Sequence, residues 1–191
     1  ILFKLNARGG SGNNLWIVND EYSGNSIYMD TPSQDSTLGQ VGVIGQPNNN
    51  YMHIQNSVSP VLNSNYDPSS SSAKWADNKS GYCTFGYSKV LLNFWWCAKG
   101  SPADYGEVYY SVNGGTTWKI CTNTDGITKY GNMQKWKYTV IEMPEFLGQG
   151  DLRFSFKWTN DGVNTNDVLP FSIDDVMLVA EYEDLAPIEI S

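Results

Sequence analysis

The chain has 191 residues and a formal net charge of −8, with 17% charged and 14% aromatic residues. This length suits one large β-sandwich better than two small domains. Twelve scattered Lys and Arg residues against twenty Asp and Glu residues exclude a nucleic-acid groove, and no apolar run approaches the ~20 residues needed for membrane insertion.

The first eighty residues carry few strand signals. They are rich in Asn, Ser and Gly, and their apolar pieces are short, as at residues 15–18 and 51–54. Such a segment is too poor in apolar runs to close a core of its own. We therefore expect residues 1–182 to form a single domain, and residues 183–191 to be a linker or tail toward a further segment.

Strand patterns are dense from residue 81 onward. Residues 89–97 are apolar on both faces and predict a central strand covered on both sides. Residues 107–112 alternate, and the positions predicted to share one face are Val108, Tyr110 and Val112. An Asn-Gly-Gly turn follows, where positive φ is tolerated, and it predicts a hairpin whose second strand is residues 116–121.

The remaining strands follow the same alternating pattern. Residues 136–143 predict a strand that ends at Pro144, and residues 151–158 alternate between apolar and polar side chains. The last strand is predicted over residues 171–182. Several strands joined by turns, with no convincing amphipathic helix, predict an all-β sandwich of two antiparallel sheets. Its core is predicted to contain Phe94, Trp96, Val108, Tyr110, Phe154, Phe156, Trp158, Ile173 and Val176.

The last strand contains an irregularity. Apolar residues hold the odd positions up to Ile173 and the even positions from Val176 onward. The inward face therefore shifts by one residue at Asp174-Asp175, which predicts a β-bulge.

Three segments resemble a known family. The hairpin YGEVYYSVNGGTTW at residues 105–118 resembles the YSTDGGTTW hairpin of secreted Bacteroidota jelly-rolls, and LRFSFKW and FSIDDV, at residues 152–158 and 171–176, resemble their final strands. Over residues 82–182 the chain is similar to the cleaved-adhesin domains of gingipain haemagglutinin regions, and more distantly to MAM domains and calcium-bearing carbohydrate-binding jelly-rolls. The resemblance implies a jelly-roll, type IX secretion, and attachment to a larger secreted or cell-surface protein or assembly.

Asp174 and Asp175 are the candidate metal ligands. Adjacent carboxylates at a bulge supply the hard oxygen ligands that Ca²⁺ prefers, and one Asp of this motif binds a structural ion in the related jelly-rolls. The oxygen-rich loop at residues 160–167 is a candidate source of further ligands, and the equal alternative is a solvated turn. The alternative is that the two aspartates only shape the bulge. The acidic residue usual in the family's first strand is absent here, since the first acidic residue is Asp20.

Aromatic residues are the candidate ligand-binding groups. Those in loop-like contexts, which we expect to be exposed, are Trp16, Tyr22, Trp75 and Tyr130. A second candidate set, for a sugar-stacking platform, contains Trp95, Trp96, Trp118, Trp136 and Trp158. The alternation of their strands, however, places Trp96 and Trp158 in the core. The alternative for the first set is ordinary half-buried packing.

One modification motif is present. Asp35-Ser36-Thr37 resembles the Bacteroidota O-glycosylation motif, with Ser36 as the acceptor.

Catalytic signals are weak. The chain has no GxSxG motif, its only histidine, His53, alternates as a strand residue, and its three cysteines lie in or beside apolar strands. We therefore expect a non-enzymatic, extracellular adhesion or protein-interaction module with a protein or glycan ligand at the cell surface. A carbohydrate-binding module is the alternative, and a hydrolase, suggested only by the carboxylates, is the second alternative.

Overall fold

A computed structural model describes residues 1–24, 29–32, 50–58, 63–163 and 169–182. The predicted acceptor Ser36 and the predicted tail at 183–191 lie outside these residues. Within them the strands are β1 (Phe3–Arg8), β2 (Asn14–Asn19), β3 (Tyr51–Asn56), β4 (Ser72–Asn78), β5 (Tyr87–Lys99), β6 (Tyr105–Ser111), β7 (Lys119–Ile120), β8 (Met133–Glu142), β9 (Arg153–Asn160) and β10 (Leu169–Tyr182). A short 3-10 helix, Pro144–Phe146, separates β8 from β9.

The strands form two antiparallel sheets. Sheet A has the order β1-β4-β9-β6-β7, and sheet B has the order β2-β3-β10-β5-β8. Successive strands from β3 to β6 alternate between the sheets, and β8, β9 and β10 do so again. This alternation is the topology of a jelly-roll, so the predicted all-β jelly-roll sandwich of two antiparallel sheets is confirmed.

The core between the sheets follows the predicted alternation. On β9 the inward Phe154, Phe156 and Trp158 are fully buried, whereas Arg153 and Lys157 point outward. All nine predicted core residues pack in one cluster, with Val176 partly buried at its margin. Val112 is the exception among the predicted inward positions. It is 38% exposed because β6 ends at Ser111 and the turn has already begun.

The central strand β5 is covered on both sides, as predicted. Its Phe94 and Trp96 face the core between the sheets. On the other side, Trp95 and Cys97 belong to a second cluster with Tyr51, Trp136 and Leu169. The segment at residues 29–32 covers this cluster, and the Trp136 Nε1–H donates to the Pro32 carbonyl oxygen at 2.7 Å.

The ring of Phe171 joins the two sheets. It stacks on Tyr130 with ring centroids 5.6 Å apart and contacts Trp16 at 6.1 Å and Trp96 at 6.3 Å. On sheet A it faces Gly106, where an added Cβ would lie 2.1 Å from the ring. A glycine is therefore required at this position for the sheets to approach.

The predicted bulge is present in β10. The pairing with β5 shifts register between Asp174 and Met177, and Asp175 has a φ of 49°. Beyond the bulge Val176 and Leu178 pack against the core again.

The hairpin after β6 differs from the prediction. The predicted strand over residues 116–121 is reduced to the two residues of β7. The Asn113 side chain explains this difference, because its Oδ1 accepts the Thr117 N–H and its Nδ2–H donates to the Thr117 Oγ1, both at 2.9 Å. These bonds hold the intervening residues in a loop instead of a ladder.

Replacing a central core ring tests the assignment of the inward face. Phe156→Ala should lower the free energy of unfolding by about 3–5 kcal/mol, because it leaves a cavity among packed aromatic rings. Urea denaturation measures this change. The exposed Thr122→Ala serves as control and should change the stability by less than about 0.5 kcal/mol. A loss below about 1 kcal/mol for Phe156→Ala would contradict the assignment.

Candidate functional site

Two of the four predicted ligand-binding aromatics are core residues. Trp16 is 1% exposed, and its Nε1–H donates to the Lys74 carbonyl oxygen at 3.0 Å. Tyr130 is 0% exposed, because its backbone bridges to Gly106 and its ring stacks on Phe171. The prediction that these two side chains are exposed is wrong.

The other two aromatics lie on different parts of the molecule. Tyr22 is 44% exposed, and its carbonyl oxygen accepts the Thr31 N–H at 2.8 Å beside the outer cluster of sheet B. Trp75 is half-buried on the outward side of β4 in sheet A. Tyr22 and Trp75 therefore do not form one surface, but Trp75 packs with other aromatic and cationic side chains.

Trp75 belongs to a group of aromatic and cationic side chains on the outward side of sheet A. Register places Arg8 of β1 opposite Trp75, which lies opposite Lys157 of β9. Lys157 in turn lies opposite Glu107 of β6. The group, here called the Trp75 face, consists of Arg8, Trp75, Glu107, Tyr109, Trp118 and Lys157.

Cations and rings alternate across the Trp75 face. The Arg8 Cζ lies 3.9 Å from the ring centroid of Trp75 and 4.7 Å from that of Trp118. The Lys157 Nζ lies 5.3 Å from the Trp75 centroid and 5.9 Å from that of Tyr109, and the Trp75 and Tyr109 centroids are 4.7 Å apart. Each distance is within the range of cation–π or aromatic attraction.

Ion pairs fix the cations in place. Arg8 binds both carboxylate oxygens of Asp77, at 2.8 and 3.0 Å, and Lys157 binds the Glu107 Oε2 at 2.8 Å. Burial, together with the Glu107 carboxylate, raises the pKa of Tyr109 to about 12. The hydroxyl therefore stays protonated at physiological pH and donates to the Glu107 Oε2 at 3.1 Å. The face is organised before any ligand arrives.

A small pocket adjoins the Trp75 face. Its volume is about 270 Å³, and the side chains that line it include Lys4, Asp77, Lys79, Trp118 and Arg153. It lies at the end of sheet A where the hairpin loop after β6 covers β1, β4 and β9.

Sequence reasoning missed Arg8, Tyr109 and Lys157 as members of this site. Tyr109 and Lys157 lie at outward positions of strands that alternation had already predicted. An outward aromatic residue in one predicted strand and an outward lysine in another are the sequence features that could have indicated this site. Arg8 carries no such signal, because its partner is 69 residues away.

The candidate metal ligands line a second groove. It has a volume of about 370 Å³ between β1, the ends of β2 and β3, and the bulge in the middle of β10, and its lining includes Ile1, Leu5, Asn50, Asp174 and Asp175. The Asp174 Oδ1 accepts the Asp175 backbone N–H at 2.8 Å. Within the described residues the Asp175 Oδ2 is buried without a hydrogen-bond partner, and burial raises the pKa of this carboxyl.

This arrangement fits a hard cation in one respect. An unpartnered buried carboxylate oxygen is a group that a cation would stabilise in its charged form. In the described part of the chain, however, no three or more His, Cys, Asp or Glu side chains form a metal-binding group. Further oxygens would have to come from Asn50, backbone carbonyls or water.

The loop expected to add metal ligands lies elsewhere as far as it is described. Asn160 Nδ2–H donates to the Asp67 carbonyl oxygen, and the Asp161 N–H donates to Asp104 Oδ1. Leu169, at the start of β10 that follows this loop, pairs with Lys99 of β5, whereas Asp174 pairs with Trp95. Lys99 and Trp95 are four residues apart, or about 13 Å along β5. The expectation that residues 160–163 approach the aspartates is wrong, and residues 164–168 lie outside the described residues.

The histidine and the buried cysteines belong to the packing. His53 stacks on Tyr51 at 4.6 Å, and burial lowers its pKa to about 4, so the ring is neutral at physiological pH. Burial raises the pKa of the thiols of Cys97 and Cys121, which keeps both protonated. Cys83 is exposed, and the three cysteines form no disulfide.

Comparisons with known proteins give similarity at the level of architecture. No family model and no curated protein matches the sequence. Among solved structures, the chain is similar to the K1 cleaved adhesin domain of Lys-gingipain from Porphyromonas gingivalis W83, with 14% identity, a TM-score of 0.40, and coverage of 94% of this chain and 98% of that chain.

Two carbohydrate-binding structures are similar as well. The CBM22-2 xylan-binding domain from Paenibacillus barcinonensis has 18% identity and a TM-score of 0.34, covering 72% of this chain and 82% of that chain. The CBM22-1–GH10 modules of the Clostridium thermocellum endo-1,4-beta-D-xylanase 10B, complexed with xylohexaose, have 12% identity and a TM-score of 0.38, covering 90% of this chain and 27% of that chain. At these TM-scores and identities, the similarity to the three structures concerns the fold alone.

The described residues include no helix that is long and apolar enough to cross a membrane.

The Arg8 ion pair should stabilise the protein more than an ordinary surface pair does. Arg8→Ala removes a guanidinium held between two rings as well as its bonds to Asp77, and should lower the free energy of unfolding by about 1–2 kcal/mol. Lys89→Ala removes the exposed pair with Glu181, whose atoms are 3.7 Å apart, and should cost less than about 0.5 kcal/mol. Urea denaturation of both variants checks the difference, and equal losses would contradict it.

Proposed function

We propose that this chain is a non-catalytic extracellular adhesion module that binds a protein through the Trp75 face, as part of a larger secreted or cell-surface protein. The observation that carries the proposal is the alternation of three aromatic rings with two cations on one outward sheet surface. Trp, Tyr and Arg are the residues most enriched among the energetically dominant positions of protein interfaces.

The stacking within the face favours a protein over a sugar as the ligand. A pyranose packs on an open aromatic ring face. Here the Arg8 guanidinium lies 3.9 Å from the Trp75 ring centroid and also flanks Trp118. A ring face covered in this way offers a sugar less stacking area, whereas ring edges and guanidinium N–H groups remain suited to protein backbone and side-chain acceptors.

The ion pairs also support binding by lowering its entropic cost. Long side chains such as Arg and Lys lose rotamer freedom when an interface immobilises them. On the Trp75 face, Asp77 and Glu107 already hold Arg8 and Lys157 in the free protein. A partner would therefore meet a surface that needs little rearrangement.

Substitution of Trp75 tests the proposed function. Trp75→Ala should weaken binding to proteins on an array of extracellular proteins by at least about tenfold, because it removes the central ring of the face. Tyr182→Ala is the matched control, since Tyr182 is an aromatic residue that is 75% exposed on sheet B, and it should bind as the wild type does. A parallel glycan array is probed with the same proteins, and melting temperatures verify that they are folded.

Two results would reject the proposal. One is binding of the wild-type chain to arrayed glycans and to no protein, which would favour a carbohydrate-binding module. The other is unchanged protein binding by Trp75→Ala.

We also propose that the groove at Asp174 and Asp175 holds a structural Ca²⁺. The support is the buried Asp175 Oδ2, which has no partner among the described residues, beside a second carboxylate on Asp174. Ca²⁺ accepts six to eight oxygens in irregular geometry, so Asn50, carbonyls and water can complete its shell. The ion would stabilise the fold because it binds only the folded arrangement.

Thermal melting tests the ion. The melting temperature should fall with a chelator and recover with Ca²⁺ but not with Mg²⁺, which demands octahedral geometry. Asp175→Asn should abolish this response, and Asn suits the test because it tolerates the positive φ at this position. Asp161→Asn, in the loop after β9 where its N–H donates to Asp104, should keep the response. Identical melting of the wild type with and without chelator would reject the site.

A further inference from the structure

The Trp75 face and the adjoining pocket are positively charged on a negatively charged protein. Five of the twelve Lys and Arg residues of the chain belong to the Trp75 face or line the adjoining pocket: Lys4, Arg8, Lys79, Arg153 and Lys157. The carboxylates among them are Asp77, Glu107 and Asp151. This surface has two more cations than anions, although the whole chain has a formal net charge of −8.

Three of the cations are already neutralised. Arg8 pairs with Asp77 and Lys157 pairs with Glu107, in each case at 2.8 Å. Arg153 binds both carboxylate oxygens of Asp151, at 2.8 and 3.1 Å. The excess positive charge therefore belongs to the two remaining lysines.

Lys4 and Lys79 are neighbours on adjacent chain segments. Lys4 lies opposite Asp77 in the pairing of β1 with β4, and Lys79 follows two residues later, where its backbone N–H donates to the Leu2 carbonyl oxygen at 2.8 Å. Both side chains are exposed and line the small pocket next to Trp118. Within the described residues neither lysine has an acidic partner at salt-bridge distance.

The pocket is shaped for a small anionic group. Its volume of about 270 Å³ is below the ~300–1,000 Å³ of pockets that enclose drug-sized ligands. One wall is the backbone of Gly114 and Gly115, both at positive φ and both without a side chain. Asp77, the carboxylate among its described lining residues, is bound by Arg8 and by the Ser155 hydroxyl. The Asp151 carboxylate next to Gly114 is bound by Arg153.

We infer that this pocket binds the carboxylate of an Asp or Glu side chain in an acidic segment of a protein partner, held between Lys4 and Lys79. The inference rests on the proposed function of the adjoining Trp75 face and specifies the charge of its partner. A peptide carboxylate is favoured over an acidic sugar because Arg8 covers Trp118, the aromatic residue of the pocket, which leaves it less area for stacking.

Charge reversal at the two lysines tests the inference. The probes are fluorescent poly-L-glutamate and polygalacturonate, which carry carboxylates on a peptide and on a sugar chain. The wild-type chain should bind polyglutamate, and Lys4→Glu/Lys79→Glu should weaken this binding at least about tenfold by reversing the complementary charge. Lys129→Glu/Lys135→Glu makes the same change of net charge at exposed sites outside the pocket and should stay within about threefold of the wild type.

The remaining outcomes overturn the inference. These are a wild type that does not bind polyglutamate, equal weakening by both double variants, and preferential binding of polygalacturonate. Lys4→Gln/Lys79→Gln, which removes charge without adding repulsion, should also lose polyglutamate binding, and retention would overturn the inference as well. The array experiment with Trp75→Ala is independent of these variants. A chain that binds an arrayed protein through Trp75 but does not bind polyglutamate would keep the proposed function and lose only the acidic partner.

Discussion

The contact between Phe171 and Gly106 sets the spacing of the two sheets. Phe171 projects from β10 in sheet B, and β6 of sheet A offers it a position without a side chain. Tyr130 stacks on the same ring, and Trp16 makes an edge contact with it. Because β6 pairs with β9, this inward contact also helps to position the two strands that carry Tyr109 and Lys157 on the outside.

The same strands serve the core and the surface. On β9, Phe156 packs between the sheets while Lys157, its next neighbour, reaches the Trp75 ring on the outside. On β6, Val108 and Tyr109 divide in the same way. A shift of register by one residue would therefore exchange the core with the binding surface, so the stability of the fold and the chemistry of its surface are selected together.

Local alternation predicted the inward face well and the outward constellation poorly. The residues of β9 and the bulge at Asp175 follow from a period of two and its interruption. Trp16 and Tyr130 were misplaced because distant groups bury them. The backbone N–H and carbonyl of Trp16 both form hydrogen bonds with the Asn6 side chain. Tyr130 pairs with Gly106 of sheet A through a single β-bridge outside any strand.

The Trp75 face escaped sequence reasoning for a related reason. Its members come from β1, β4, β6, β9 and the loop after β6, and only the order of strands in sheet A places them side by side. Strand order depends on how the sheets close over the core, which no short window of sequence encodes. Trp75 itself was recognised as a candidate, but its cationic partners were not.

The uneven distribution of charge also affects how a partner approaches. Since the Trp75 face and the adjoining pocket have an excess of two positive charges, the remainder of the chain has a formal charge of about −10. The module is therefore an electric dipole whose positive end is its proposed binding face. In the electric field of an acidic partner, the module would turn its positive face toward the partner before contact, because its negatively charged surfaces would be repelled. Orientation would thus be selected during diffusion, and the rate of association would fall as ionic strength screens the field.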